Sequence, residues 1–168
     1  MTASFLHADI FHLAGNCLFL AVFGRTLERL FGTTVFLASF PILGAAGFLT
    51  EWVVHPDSAT VVIGASGSIA ALMGAYLPLF PSAKVKMVAF FGIFFKRFTV
   101  PAWAFLPYWI VLQVTSMAFG GDDGVAYAVH VGSFALGLIG AIVWKTSYVG
   151  ADDALEVFTD DHLAVDSR

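Results

Sequence analysis

Four polar side chains within long apolar segments have the right types for nucleophilic attack on a carbonyl group. They are Ser66, His130, His12 and Asn16. A serine hydroxyl beside a histidine supplies a nucleophile and its general base. His12 and Asn16 are four residues apart, so on a helix both face the same way and could donate to a developing oxyanion. No acidic residue is well placed beside His130, which favours a Ser-His dyad over a triad.

The composition indicates that the chain lies in lipid. Hydrophobic residues make up 59% and charged residues 12% of its 168 residues, and the mean hydropathy is +0.86. A soluble domain carries about twice that share of charge. One core of this size cannot hide so much apolar surface. At roughly 20 apolar residues per crossing, however, the chain has room for several membrane helices.

Apolar segments separated by short polar breaks predict an all-α, polytopic membrane bundle of about five transmembrane helices. Their approximate ranges are residues 5–23, 33–54, 63–80, 101–118 and 125–144. Prolines inside these segments do not change the prediction, because membrane helices tolerate proline. Residues 81–100 are apolar in the middle but carry four basic residues, so we expect this segment to lie at the membrane interface.

The basic residues test the number of crossings, because Lys and Arg accumulate on cytoplasmic loops. With five crossings, all eight basic residues fall on one side of the membrane. The acidic residues of the other side are Asp9, Glu51, Asp57, Asp122 and Asp123. That side is therefore expected to be extracytoplasmic. By the helical rise, the four polar side chains lie within roughly 3 to 16 Å of its boundary and can share one cavity.

We divide the chain into a transmembrane domain at residues 1–148 and an acidic cytoplasmic tail at residues 149–168. The tail holds half of the twelve acidic residues and is expected to be disordered. The single cysteine, Cys17, has no partner for an intrachain disulfide and is expected to be a small buried residue.

Three motifs in this order resemble the rhomboid family of intramembrane serine proteases. They are Phe5-Leu6-His7-Ala8-Asp9 followed by His12 and Asn16, then Gly64-Ala65-Ser66-Gly67, then His130 with Gly137 beyond it. The segment 24–32, with Glu28 at its centre, resembles the family's turn after its second helix. The resemblance covers residues 2–144. Each motif alone is weak, but the three together are specific.

The resemblance implies a serine endopeptidase that cleaves transmembrane segments near the extracytoplasmic face without metal or cofactor. It implies Ser66 as the nucleophile, His130 as general base and acid, and His12 with Asn16 as the oxyanion-stabilising donors. The expected partners are transmembrane protein substrates and the lipid bilayer, with no nucleic acid. The oligomeric state stays open. Residues 101–118 would correspond to the family's mobile gate.

Three departures from the family pattern bear on these expectations. The family's first transmembrane helix has no counterpart, so we expect that an earlier helix is missing from this chain or was lost from its gene model. Ser133 stands where many members have glycine, which would loosen the packing of the last helix. Ala70 stands where many members carry an aromatic side chain against the catalytic ring. The last two should tune activity without removing the nucleophile or the base.

Other functions remain open. A non-catalytic rhomboid-like protein would bind transmembrane clients without cleaving them. A metal site or small transporter would use imidazole and carboxylate groups, which suit zinc; its residues would be His7, Asp9, His12 and His130. The metalloprotease spacing His-Glu-x-x-His is absent, and no internal repeat suggests a transporter. Each motif also has a purely structural interpretation, as small-residue packing or interhelical hydrogen bonding.

Overall fold

The structure is a computed structural model that describes residues 2–57, 61–91, 94–120, 124–148 and 150–156. Lipid offers no hydrogen-bond partners, so apolar segments of this length satisfy their backbone as helices. The helices are α1 (Ile10–Phe19), α2 (Arg25–Phe31), α3 (Thr33–Val54), α4 (Ser66–Leu79), α5 (Ala102–Phe119) and α6 (Tyr127–Ser147). The predicted all-α membrane bundle is confirmed.

The first membrane span is longer than predicted. The π-helical segment Leu20–Gly24 joins α1 to α2 without a break, so one span covers Ile10–Phe31. The predicted helix end near residue 23 is therefore wrong. Arg25 and Arg29 belong to the helix rather than to a loop. Long basic side chains near a helix end can extend to the membrane interface, which reconciles their charge with a helical position.

Gly32 reverses the chain between α2 and α3. Its φ of +82° lies in the left-handed region, which glycine adopts without steric cost. The Thr33 hydroxyl donates to a carboxylate oxygen of Glu28 across this turn, at 2.9 Å. The turn therefore ends the first span and starts α3 at the predicted residue.

Helix α4 is the shortest of the five predicted crossings. Among the described residues, four spans are long and apolar enough to cross a membrane, and they are Ile10–Phe31, Thr33–Val54, Ala102–Phe119 and Tyr127–Ser147. Helix α4 has 14 residues and starts at Ser66, later than the predicted start at residue 63. Ten of its residues are buried, so α4 is packed by protein rather than by lipid along most of its length.

Glycines bring the backbones of α4 and α6 into contact. A Cβ on Gly74 would collide with the carbonyl oxygen of Phe134, and a Cβ on Gly137 would collide with the carbonyl oxygen of Ala71. Gly137 therefore packs directly against the backbone of Ala71. Small residues at such contacts let membrane helices approach closely. Helices α4 and α6 therefore have little freedom to shift against each other.

The predicted interfacial segment contains an antiparallel β-hairpin that the sequence pattern does not predict. Strand β1 (Lys84–Phe91) pairs with β2 (Phe94–Pro101), and Val85 is buried in the core. The hairpin leads directly into α5, whose N-cap is Pro101. The location of this segment at the membrane interface stays a prediction.

Two expectations concern the chain's tail and its cysteine. Residues 151–156 are helical, and both Ala151 and Leu155 are buried there. Residues 157–168 lie outside the described residues, as do Asp122 and Asp123, so the disordered acidic tail stays a prediction.

Cys17 is exposed on α1. Its predicted burial is wrong, because a small apolar side chain on a membrane helix can equally face lipid.

Candidate active site

The first turns of α4 and α6 meet at one end of the bundle. Ser66 is the first residue of α4, and His130 lies in the first turn of α6. Ser66 Oγ is 2.9 Å from His130 Nε2. The two side chains that the sequence analysis selected as nucleophile and base, 64 residues apart, are thus within hydrogen-bonding distance.

Gly64 shapes the approach to Ser66. Its φ of +106° requires glycine, and its N–H donates to the Ala3 carbonyl at 2.9 Å. A Cβ at this position would lie 2.8 Å from His12 Nε2 and 3.4 Å from Asn16 Nδ2. Only glycine therefore allows both the turn before α4 and the close approach of the two side chains from α1.

His12 presents an N–H group towards Gly64. The Asp9 carboxylate caps α1 by accepting from the His12 backbone N–H at 2.8 Å. The Ala8 N–H donates to His12 Nδ1 at 3.4 Å. A neutral imidazole with an accepting Nδ1 carries its proton on Nε2, the atom beside Gly64. The ring of His7 packs edge-on against that of His12, with centroids 5.0 Å apart.

Asn16 contributes an unpaired donor at the same place. Its Nδ2 atom is buried and has no hydrogen-bond partner among the described residues. Buried polar groups are nearly always hydrogen-bonded, so an orphan amide beside a cavity indicates a role in binding. His12 and Asn16 thus direct two N–H donors to the region next to the Ser66 loop.

His130 has a second polar neighbour, Gln113, that the sequence pattern does not predict. Gln113, on α5, places Oε1 2.7 Å from His130 Nδ1. The signal was a single amide in the middle of an apolar span, where an unpaired polar group is costly.

The aromatic contact expected to be lost at Ala70 is made by other residues. Trp109 and Tyr127 lie beside the imidazole, with ring centroids 6.0 Å and 6.4 Å from it.

One cavity contains all of these groups. Its volume is about 650 Å³, within the usual range for ligand sites. Its polar lining includes His12, Asn16, Ser66, Gln113 and His130. The four side chains predicted from the sequence therefore line one cavity, where Ser66 and His130 come from α4 and α6 and the side chains of His12 and Asn16 come from α1.

The described residues offer no ligand set for a metal ion. No group of three or more His, Cys, Asp or Glu side chains in this part of the chain could hold one. His7 and His12 contact each other, whereas both ring nitrogens of His130 already face Ser66 and Gln113. The alternative of a metal site built from these histidines therefore finds no support in the geometry.

A family model described as the Rhomboid domain matches residues 1–146. The chain belongs to the rhomboid family. The family expected from the three sequence motifs is therefore confirmed, and so is an integral, multi-pass membrane protein. Family membership leaves two functional classes, since rhomboid proteins include intramembrane proteases and inactive rhomboid-like proteins.

Curated relatives of this rhomboid chain come from a plant, a yeast and a bacterium. Rhomboid-like protein 11, chloroplastic, from Arabidopsis thaliana is 38% identical over 69 residues, which are 41% of this chain and 24% of the relative. Rhomboid protein 1, mitochondrial, from Saccharomyces cerevisiae is 27% identical over 147 residues, which are 82% of this chain and 39% of the relative. RHOMBOID-like protein 12, mitochondrial, from Arabidopsis thaliana is 27% identical over 164 residues, which are 86% of this chain and 44% of the relative. The chain thus spans less than half of each. No solved structure matches it significantly.

Proposed function

We propose that this rhomboid protein is an intramembrane serine endopeptidase that cleaves transmembrane segments of other membrane proteins. The observation that carries the proposal is the 2.9 Å approach of Ser66 Oγ to His130 Nε2, inside a cavity that also holds His12 and Asn16. A hydroxyl and an imidazole at this distance have the geometry of a nucleophile and its general base.

In the first step, Ser66 Oγ attacks the carbonyl carbon of the scissile peptide bond and passes its proton to His130 Nε2. The new C–O bond pushes the carbonyl electron pair onto oxygen. His12 Nε2–H and Asn16 Nδ2–H donate to the resulting oxyanion. A single donor of this kind is worth about 3 to 4 kcal/mol of transition-state stabilisation. Unpaired backbone N–H groups in the first turn of α4 favour the same negative charge.

In the second step, the His130 imidazolium returns its proton to the leaving amine nitrogen, and the C–N bond breaks. The product is an acyl ester on Ser66. Water then attacks the ester carbonyl and gives a proton to His130 Nε2. As this second oxyanion collapses, the bond to Ser66 Oγ breaks and His130 returns the proton to Oγ, which releases the new carboxyl end and restores the hydroxyl. These steps need no metal or cofactor.

The proposed orientation places the active site towards the extracytoplasmic side and the carboxyl-terminal tail in the cytoplasm. Phe31 and Trp144 pack edge to face with centroids 5.1 Å apart, so the ends of α2 and α6 are adjacent. Arg29 and Lys145 flank these aromatic rings in the sequence, at the end of the bundle away from Ser66. Basic residues favour the cytoplasmic side, which supports this orientation.

Reconstitution tests the proposal. The purified protein, in lipid vesicles with a panel of single-pass transmembrane substrates, should release cleavage products whose ends map within or next to the membrane segment. Ser66→Ala should lower the rate by a factor of at least about 10³. Ser68→Ala is the matched control, since Ser68 lies on the same helix but donates to the Phe40 carbonyl instead, and it should retain cleavage.

Two outcomes would contradict the protease proposal. Cleavage that survives Ser66→Ala would exclude Ser66 as the nucleophile. Capture of the same transmembrane segments by wild type and Ser66→Ala, with no product from either, would instead support the non-catalytic client-binding alternative.

A further inference from the structure

We propose that Gln113 is a positioning residue that holds His130 in its catalytically competent tautomer, so that the site operates as a Ser-His-Gln triad. The proposal rests on the proposed serine protease function and deepens it. Its basis is that both ring nitrogens of His130 have polar partners, Ser66 Oγ at 2.9 Å on Nε2 and Gln113 Oε1 at 2.7 Å on Nδ1.

The partner on Nδ1 determines what Nε2 can do. A neutral imidazole has one N–H donor and one accepting lone pair. An amide oxygen only accepts, so the hydrogen bond to Gln113 requires the proton on Nδ1. The lone pair then lies on Nε2, where it can take the Ser66 proton. With the amide in this orientation, the other tautomer would set two lone pairs against each other at Gln113, and the amide would have to turn by 180° to donate its NH2 group instead. An N–H of His130 would then face the serine, which leaves no base.

The ring is held by two contacts from the same helix. Trp109 precedes Gln113 by one helical turn, so both side chains lie on one face of α5. The Trp109 ring packs against His130 and also against Phe134, with centroids 6.0 Å and 6.1 Å apart. The Trp109 indole thereby limits the tilt of the imidazole, while the Gln113 amide keeps the imidazole proton on Nδ1. Together they define which way the base faces.

This arrangement makes the base depend on the position of α5. The buried residues of α5 are Ala102 and Leu106, both in its first two turns, and the half that carries Gln113 has none. The amide is therefore held in place by its partner on α6 and not by a surrounding core. If this half of α5 moves away from α6, His130 loses the group that orients its proton, and the site loses its base.

The test measures the tautomer and the activity separately. Protein labelled with ¹⁵N-histidine is reconstituted in lipid vesicles, and the His130 ring signals are assigned by their loss in His130→Ala. Nitrogen chemical shifts distinguish a protonated from an unprotonated ring nitrogen. We expect wild type to carry its proton on Nδ1. Gln113→Leu should shift the population towards protonated Nε2, whereas Gln113→Glu, which also offers an acceptor, should keep the wild-type tautomer.

Activity is followed by the rate of fluorophosphonate labelling and by substrate cleavage. Gln113→Leu should slow both about tenfold, the factor that loss of one hydrogen bond of ordinary net strength predicts. The decrease should lie in kcat, with KM unchanged, because Gln113 acts through His130 and not on the substrate. Gln113→Glu should restore most of the rate. Thr115→Val is the matched control, since Thr115 is exposed on the same helix and its hydroxyl donates to the Val111 carbonyl in its own turn.

The outcomes separate this inference from the protease proposal. If wild type neither labels nor cleaves, but Gln113→Leu still shifts the tautomer, the protease proposal fails and the effect of Gln113 on His130 stands. If wild type is active and Gln113→Leu leaves both tautomer and rate unchanged, the role of Gln113 is overturned. If Gln113→Leu does not fold, Gln113→Met, which is unbranched and of similar length, carries the same expectation.

Discussion

Helices α4 and α5 both contribute to the candidate active site, but the protein holds them in different ways. Ten of the fourteen residues of α4 are buried, against two of the eighteen residues of α5. Helix α4 carries Ser66 and is rich in small residues that touch neighbouring backbones. Helix α5 carries Gln113 and directs large side chains such as Trp103, 60% exposed, away from the bundle.

The difference in burial implies that α4 is held rigidly, whereas α5 has more freedom to move. Ser66, the proposed nucleophile, is placed by backbone contacts, which leave almost no freedom because packed interiors deform little. Gln113, which we propose orients His130, is placed by side-chain contacts on a helix with few buried residues. Substitutions at the α4 contacts should therefore lower the free energy of unfolding. Substitutions in the second half of α5 should leave the free energy of unfolding nearly unchanged and alter the proposed activity only where they affect Gln113.

The largest effect is expected where α4 and α6 touch. Gly137→Val would push side-chain atoms into the Ala71 carbonyl, which cannot move without displacing α4, and should lower the free energy of unfolding by at least about 4 kcal/mol. Gly140→Val, on the same helix with nothing within 4 Å of its Cβ position, is the control and should be tolerated. Thermal unfolding in detergent measures both. Equal stability of the two variants would contradict the close helix contact.

A pair of identical truncations sharpens the comparison between the helices. Leu72 on α4 is 4% exposed and Leu112 on α5 is 43% exposed. Leu72→Ala leaves a cavity among protein atoms and should cost about 3 kcal/mol. Leu112→Ala leaves a gap that lipid can fill, so its cost should stay within about 0.5 kcal/mol. Comparable losses in chemical unfolding experiments would show that α5 is packed as tightly as α4.

A small increase in the free energy of unfolding is expected when the Ser133 hydroxyl is removed. This side chain is fully buried, and its hydroxyl has no hydrogen-bond partner among the described residues. Ser133→Ala removes an unpaired polar group and should raise the free energy of unfolding by about 1 kcal/mol. Ser68→Ala removes an equally buried hydroxyl that donates to the Phe40 carbonyl at 2.7 Å, so it should be destabilising. A loss of stability in both variants would mean that the Ser133 hydroxyl is paired.

The sequence predicts the membrane spans well where their ends are marked. Helix α3 has its predicted bounds because Gly32 precedes it and Pro56 follows it closely. The first span was predicted too short, because Arg25 and Arg29 resemble a loop although basic side chains can extend from a helix to the interface. The β-hairpin was missed because a short apolar run does not distinguish strand from helix, and its pairing depends on contacts between separate segments.

The composition of the candidate site follows from the sequence only in part, for a similar reason. Ser66, His130, His12 and Asn16 could be placed at one depth from the span assignment alone, and the cavity contains all four. Gln113 could not be placed, because depth does not say which face of a helix turns inward. Only the packing of α5 against α6 directs that amide to Nδ1 of the imidazole.

The reactivity of the Ser66 hydroxyl is the most direct test of the proposed enzyme. The folded protein in lipid vesicles is treated with a fluorophosphonate, digested and analysed by mass spectrometry. We expect one adduct, on Ser66, that is absent in Ser66→Ala and strongly reduced in His130→Ala, whereas Ser68→Ala retains it. A folded wild-type protein whose Ser66 stays unmodified, or an equal adduct in His130→Ala, would contradict the proposal that His130 activates this serine.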